Sequence, residues 1–301
     1  MTTFAQGARS QVTYVSESTF GVTPTTPATT LIPFVSFNIN STIDQFSDAS
    51  IRADRQQRYS LNGNSHVAGD LDVNLTHHNF DPFFASLLTG SWASNVLKFG
   101  NTQSSFTVEQ GALDVNQYWT YTGVMMDKLS LTINTTGVVS AKFSVLGKAA
   151  ALASSTICAT PTAVMESAPY THLGGTFKEA GTTTALLTAL TLNIDNKTSS
   201  NFTLGGSTTQ NLSSGVVTVS GQATVMFQDA VIANKYLNGT ATTLDFTLSD
   251  GSNTMEFNLP NVRYTGLTRT ITGQGPISLT VPFTALYDNT SASSIVITRN
   301  S

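Results

Sequence analysis

Apolar and polar residues alternate along most of this chain. In "VAGDLDVNL", Val67, Gly69, Leu71, Val73 and Leu75 fall on one face and Ala68, Asp70, Asp72 and Asn74 on the other. That period of two is the signature of a half-buried strand. "VSGQATVMF" has the same design, with Val219, Gly221, Ala223, Val225 and Phe227 set against Ser220, Gln222 and Thr224. The glycine stands at the same place in both, and a glycine inside a strand marks a bulge or a close approach of two backbones. Helical signals are confined to two short stretches. "FDPFFASLLTG" offers Asp81 as N-cap, Pro82 at the first helical position and Gly90 as a stop, and "QDAVIANKYLNG" runs from Asp229 to Gly239.

These pairs recur in a matched order. An opening strand, "FNIN" at Phe37 and "LNID" at Leu192, precedes each glycine-bearing strand. After each helix come "FTVEQG" from Phe106 and "FTLSDG" from Phe246, then Tyr-Thr-Gly at Tyr121 and at Tyr264, then "GVVSAKFSVLG" from Gly137 and "GPISLTVPFTA" from Gly275. The order predicts an all-β-dominated chain of two tandem β-sandwich domains, each with one short flanking helix. The expected divisions are an N-terminal arm at 1–30, a first domain at 31–150, a linker at 151–184, a second domain at 185–290 and a C-terminal tail at 291–301.

Composition adds one anomaly. Charged residues make up 11% of the 301 residues, against about 25% in an average soluble domain. A surface so poor in charge is either covered by partners or belongs to an extracellular β-protein whose polarity comes from hydroxyls and amides. The net charge of −4 argues against a protein that grips nucleic acid by its phosphates. No apolar run is long enough to span a membrane, the polar start does not read as a signal peptide, and the single cysteine, Cys158, cannot form an intrachain disulfide. A reduced cytoplasmic origin is the simple expectation.

Catalytic chemistry has no visible home, so no enzymatic activity and no cofactor are expected. The chain contains no G-x-S-x-G, Walker A or H-E-x-x-H motif. The best metal candidate is "THHNFD", with His77, His78 and Asp81. Adjacent histidines on a strand point to opposite faces, which makes a poor chelate, and no metal is expected there. Asp70 and Asp72 share a strand face and could form a carboxylate pair, but Gln222 and Thr224 stand at the matching positions, so a solvated face is the better reading. One charge cluster stands apart. "SIRADRQQRYSLNGNSH" places Arg52, Asp54, Arg55 and Arg58 in the long loop at 41–65, and arginine favours protein interfaces and bidentate carboxylate pairing. The matching loop of the second half lacks these arginines.

"TYVSESTFGVTPTTPATTLIPF" contains Glu17, Thr19, Phe20, Gly21 and Pro24 in an E-x-T-[FWY]-G-x-x-P pattern ahead of the first strand. With the repeat of strands, long loop and single helix, it resembles the tail tube proteins of bacteriophages with long, non-contractile tails. That resemblance implies a β-sandwich with a flanking helix, six domains per ring, and rings stacked into a tube through which the genome passes. Two such domains in one chain imply trimeric, pseudo-hexameric rings. It further implies self-association, contact with a tape measure protein and tail-end proteins, and passage of double-stranded DNA without sequence-specific binding. The expected location is the virion tail, with synthesis in the host cytoplasm. The expected lumen-facing residues are Asp70, Asp72, Asn74, Gln222 and Thr224, and the arginine loop is expected to reach a neighbouring subunit. The competing reading is a surface or carbohydrate-binding β-sandwich module. Such a module needs exposed aromatic pairs, and the only two tryptophans, Trp92 and Trp119, both lie in the first half.

Overall fold

A computed structural model describes residues 4–183, 186–271 and 273–300. In chain order the first half contains β1 (Ser10–Ser16), β2 (Thr30–Leu31), β3 (Ser36–Ser47), β4 (Ser60–Asn74), α1 (Asp81–Leu87), β5 (Val96–Lys98), β6 (Phe106–Ala112), β7 (Gln117–Asn134), β8 (Ser140–Gly147) and β9 (Ala149–Ala153). The second half contains β10 (Thr171–Glu179), β11 (Thr182–Thr183), β12 (Leu187–Asp195), β13 (Ser199–Asn201), β14 (Asn211–Ser213), β15 (Thr218–Met226), α2 (Val231–Leu237), β16 (Thr242–Ser249), β17 (Thr254–Tyr264), β18 (Thr268–Thr270), β19 (Ser278–Ala285) and β20 (Val296–Arg299).

The chain is all-β dominated, and every pairing between named strands is antiparallel. One outer sheet runs β2-β1-β6-β7-β9. A second runs β11-β10-β16-β17-β20-β5. Facing both lies an inner sheet ordered β3-β4-β8-β7-β12-β15-β19-β18. β7 turns the corner between layers: its first half pairs with β6 and β9, and from Met125 onward, across a bulge at Met126/Lys128, it pairs with β8. β17 does the same, leaving β16 and β20 to meet β19 at Val262 to Tyr264. Bulged strands that switch sheets are the usual way to close such a sandwich.

Several segments do more than their sequence suggested. The N-terminal arm supplies β1, which is paired with β6 along its whole length. The linker supplies β10, which has the same relation to β16 that β1 has to β6. The C-terminal tail supplies β20, which joins β17 of the second half to β5 of the first. Pairing with distant strands gave these segments their structure, and no local alternation announced it. The loop at 41–65 is also more ordered than expected, because β3 and β4 continue as a paired hairpin, with a bulge between Ile43 and Gln45, to Ser47 and Ser60. Cross-strand hydrogen bonds from Gln45 to Asn62 and from Ser60 to Gln45 hold the extension.

Helix caps differ from the sequence expectation in one respect. Phe80 occupies the N-cap of α1, while Asp81 is the first helical residue and turns its carboxylate toward His78. Asp229 behaves closer to expectation: its side chain accepts the Val231 N–H at 2.9 Å.

The repeated glycines do hold equivalent places. Gly69 faces Val145 across β4/β8, and Gly221 faces Phe283 across β15/β19. A Cβ on Gly69 would lie 2.0 Å from the Asn38 carbonyl oxygen, and one on Gly221 would lie 2.4 Å from that of Thr191. Both strands therefore press their backbone against the opening strand at corresponding points. By that register Ile39 corresponds to Leu192, two residues away from the match that "FNIN" and "LNID" suggest. The Tyr-Thr-Gly echo does not correspond either. Tyr264 faces Phe283, whereas the residue facing Val145 is Met126 and not Tyr121.

Gly69→Ala and Gly221→Ala should each lower the unfolding free energy by roughly 1–3 kcal/mol, the usual range for overpacking. Denaturant melts of the two variants check this, and unchanged midpoints would remove the close-approach account.

Candidate assembly surfaces

The junction between the halves is built by β7 and β12. Leu129 faces Ile194, Leu131 faces Leu192 and Ile133 faces Leu190, all toward the core. On the opposite side Ser130 faces Asn193, Thr132 faces Thr191, and Lys128 reaches Asp195 at 3.1 Å. Burying each aliphatic side chain stabilises by roughly 1.5–3 kcal/mol, against at most about 1 kcal/mol for an exposed ion pair. The apolar side fixes the junction. Phe84 of α1 meets Phe257 at 6.1 Å between ring centroids, so one core crosses from half to half.

This pairing makes the polar side of the inner sheet continuous over eight strands. Register places Asn38, Asp70, Ser144 and Lys128 in one row, and Thr191, Gln222 and Pro282 in another. All five residues singled out from the sequence, Asp70, Asp72, Asn74, Gln222 and Thr224, lie on this one face. Sequence reasoning missed Lys128, Lys142 and Asp195 on the same face. Their alternation was readable in "DKLSLTIN", "SAKFSV" and "LNID", but their shared face depends on the β7–β12 pairing. At the paired positions of these strands the charged residues are Asp70, Asp72 and Asp195 against Lys128 and Lys142. Lys142 lies 3.8 Å from Asp70 and 3.6 Å from Asp72, so both ammonium groups have carboxylates beside them. The hydrogen bond to Asp195 raises the Lys128 pKa above the ordinary lysine value.

The arginine hairpin carries its own acids. Arg52 pairs with Asp48 at 3.0 Å and Arg58 pairs with Asp54, all four side chains being substantially exposed. Arg55 sits at the tip with φ of 57°. Beside these charges the hairpin exposes Ile43, Phe46, Ile51, Tyr59 and Leu61, with Phe46 opposite Leu61 across the strands. A charge-poor chain that projects five large apolar side chains on one arm carries the marks of a contact surface.

Glu17 gives the N-terminal motif its physical meaning. Its Oε2 accepts from the Gly21 N–H at 2.7 Å and the Ser105 hydroxyl at 2.7 Å, and Oε1 accepts from the Gly123 N–H at 2.9 Å and the Thr107 hydroxyl at 2.8 Å. Gly123 has φ of +66°, and a Cβ there would meet Phe20 at 2.9 Å. The motif thus pins the turn at 17–21 onto β6 and onto the corner where β7 leaves the outer sheet.

The histidine cluster has a different geometry from the one expected. A positive φ of 63° at His78 swings its ring back, so the two imidazole centroids are 3.9 Å apart instead of on opposite faces. Their Nδ1 atoms are engaged within the protein. His77 Nδ1 meets the Tyr170 hydroxyl at 2.8 Å, while His78 Nδ1 and the Asp81 carboxylate converge on the Arg299 guanidinium, which also covers the Trp92 ring. Among the described residues no group of three His, Cys, Asp or Glu side chains forms a metal site. Cys158 is free and half-buried.

A family model for phage tail tube proteins matches residues 7–285. The chain belongs to the phage tail tube protein family. Among curated proteins it has no match. Membership assigns the chain a structural role in the virion tail. No helix among the described residues is long and apolar enough to cross a membrane.

Two outcomes follow for the Arg299 clamp, which lies beyond the matched region. Arg299→Ala strands the mostly buried Asp81 carboxylate and should cost on the order of 3 kcal/mol, measured by thermal unfolding. Burial lowers the pKa of both histidines from the ordinary 6.5, with the His78 charge adding to the effect on His77 and Arg299 to that on His78. Their contribution to stability is therefore complete above pH 6.5 and is lost as pH falls through the folded-state values. Melting midpoints should hold steady above neutrality and decline toward pH ~5, and His77→Gln/His78→Asn should flatten that decline. An equally steep decline in the double variant would remove the histidines from the account.

Proposed function

We propose that three copies of this chain close into a ring of pseudo-six-fold symmetry, and that such rings stack into the tube of a long, non-contractile phage tail. The observation that carries the reading is the polar face continuous over both halves, ending in a strand edge on each side. A tandem pair of like domains supplies two of six positions, and closed cyclic symmetry lets one contact repeat until no edge is free. The equivalent glycine contacts of Gly69 and Gly221 and the shared register of β4/β8 and β15/β19 support the duplication.

On this reading the polar face lines the lumen. Asp70, Asp72, Asn74, Gln222 and Thr224 then face the DNA, together with the two carboxylate-paired lysines. Unpaired lysines would release counterions from the duplex and hold its phosphates, which would slow passage. Three carboxylates against two ammonium groups leave a face that repels the backbone weakly and binds it poorly. The arginine hairpin reaches toward a neighbouring ring, where Arg52, Arg55 and Arg58 exchange weak exposed pairs for carboxylates desolvated at the contact. The tape measure protein and tail-end proteins are the remaining partners, with assembly in the host bacterial cytoplasm.

Negative-stain images of the purified protein should show tubes or rings with six lobes end-on, and three chains per ring by mass. Six chains per ring would contradict the tandem reading, and a monodisperse monomer would contradict the tube itself. Replacing Arg52, Arg55 and Arg58 by serine should leave the unfolding free energy within about 1 kcal/mol of wild type, since exposed pairs contribute little. The same variant should form shorter, more salt-sensitive tubes. Tubes of normal length and salt resistance would mean that the hairpin is only solvated.

A further inference from the structure

Asn-Gly occurs twice in the chain, at Asn62–Gly63 and at Asn238–Gly239. The pair is chemically special, because a glycine has no Cβ to keep its backbone nitrogen away from the preceding carboxamide carbon. That nitrogen can attack the carbon and close a five-membered ring. The fold treats the two pairs in opposite ways.

Asn62 is held away from the reaction. It pairs with Gln45 in the β3/β4 ladder, and its Oδ1 accepts from the Gln45 side-chain amide at 2.8 Å. Gly63 lies under the Phe46 ring, which a Cβ at that position would meet at 2.5 Å. Bringing the Gly63 nitrogen onto the Asn62 carboxamide requires the cross-strand hydrogen bond and the ring to give way together.

Asn238 has no such restraint. It is the exposed C-cap of α2, and among the described residues no hydrogen bond holds its side chain. Gly239 follows with φ of 61°, and its N–H donates to the Tyr236 carbonyl at 3.1 Å. That single bond occupies the attacking nitrogen. α2 has seven residues, none of them buried, and its firm anchor, the Lys235–Glu179 pair at 2.6 Å, precedes the end formed by Tyr236 to Gly239. The end of a short helix without buried residues opens at little cost. α1 ends differently. Thr89–Gly90 stands at the matching place, so there is no carboxamide, and a Cβ on Gly90 would lie 2.2 Å from the Lys98 carbonyl oxygen.

We propose that Asn238 is a site of spontaneous covalent modification, in which the Gly239 nitrogen attacks the Asn238 Cγ and the chain passes through a succinimide to an acid. The new N–C bond closes the ring, and the side-chain amide leaves as ammonia with the proton that the Gly239 nitrogen gives up. Water then adds to one of the two ring carbonyls. Opening on one side gives aspartate, and opening on the other gives isoaspartate, whose main chain runs through the side-chain carbon. Either product takes the formal net charge of the chain from −4 to −5. The new carboxylate arises next to the Gly239 carbonyl that the Arg263 guanidinium holds, and that arginine offsets a negative charge which a helix C-terminus disfavours. Because α2 buries no residue, the modified chain stays folded and accumulates. The conversion requires only water and a single chain.

The test incubates freshly purified full-length chain at mildly alkaline pH in water enriched in heavy oxygen. Acid digestion with pepsin and mass spectrometry then follow each Asn-Gly pair, and ion exchange follows the intact chain. Peptides containing Asn238 should take up the label and the mass gain of an amide-to-acid exchange, as paired aspartate and isoaspartate species. They should do so at least about fivefold faster than peptides containing Asn62, because only the helix end opens readily. Asn238→Gln should remove the acidic species from the column. In denaturant, where neither pair is held, the two should react at similar rates. Equal rates in the folded chain would overturn the selection of Asn238 by the fold. An Asn238 that stays intact while the denatured chain reacts, or an acidic species that persists in the Asn238→Gln variant, would overturn the site itself.

Discussion

The pairing of β7 with β12 is the constraint on which the rest depends. Three apolar cross-strand contacts and a run of backbone hydrogen bonds join two sandwiches into one inner sheet. Without that junction each half would have a free inner edge, the polar face would be broken in the middle, and α1 would lose the cover that buries it. The C-terminal strand β20 reinforces the arrangement from the opposite layer by bridging β17 and β5, and Arg299 at its end locks onto α1. The angle between the halves is therefore held from both layers. In the proposed ring that rigidity would be required, because the curvature would be set by this angle repeated around the axis.

Charge scarcity acquires a reason in this setting. The inner sheet's polar face is built mainly from Ser, Thr, Asn and Gln, and its lysines sit beside aspartates. Exposed pairs of this kind add little stability. In the proposed lumen their effect would be electrostatic: they would withhold ammonium groups from a polyanion. A separate cluster of charge stands at the hairpin tip, beside apolar side chains suited to burial against a neighbour.

Much of the fold was legible in the sequence, for a physical reason. Period-two alternation set the faces of β4, β8, β12, β15 and β19, and the glycines at 69 and 221 announced a real close approach. β1, β10 and β20, which escaped notice, owe their structure to partners remote in sequence. Local alternation cannot encode which partner a strand finds. The same limit applied to the polar face: Asp70 and Gln222 could each be assigned to a side of a strand, but their common surface came from a pairing between halves. The Tyr-Thr-Gly echo was misleading because a short motif can recur out of register, and only Gly123 serves the Glu17 turn. The histidines were misread because a positive φ at His78 broke the strand geometry that the argument assumed.

The measurement that bears most directly on this account is a helical reconstruction of assembled tubes by electron cryomicroscopy. The account predicts a channel lined by the inner sheet, with Asp70, Asp72, Gln222 and Thr224 facing the axis and the sheet uninterrupted from β3 to β18. A channel lined instead by the outer sheets, or an inner sheet broken between β7 and β12, would contradict it.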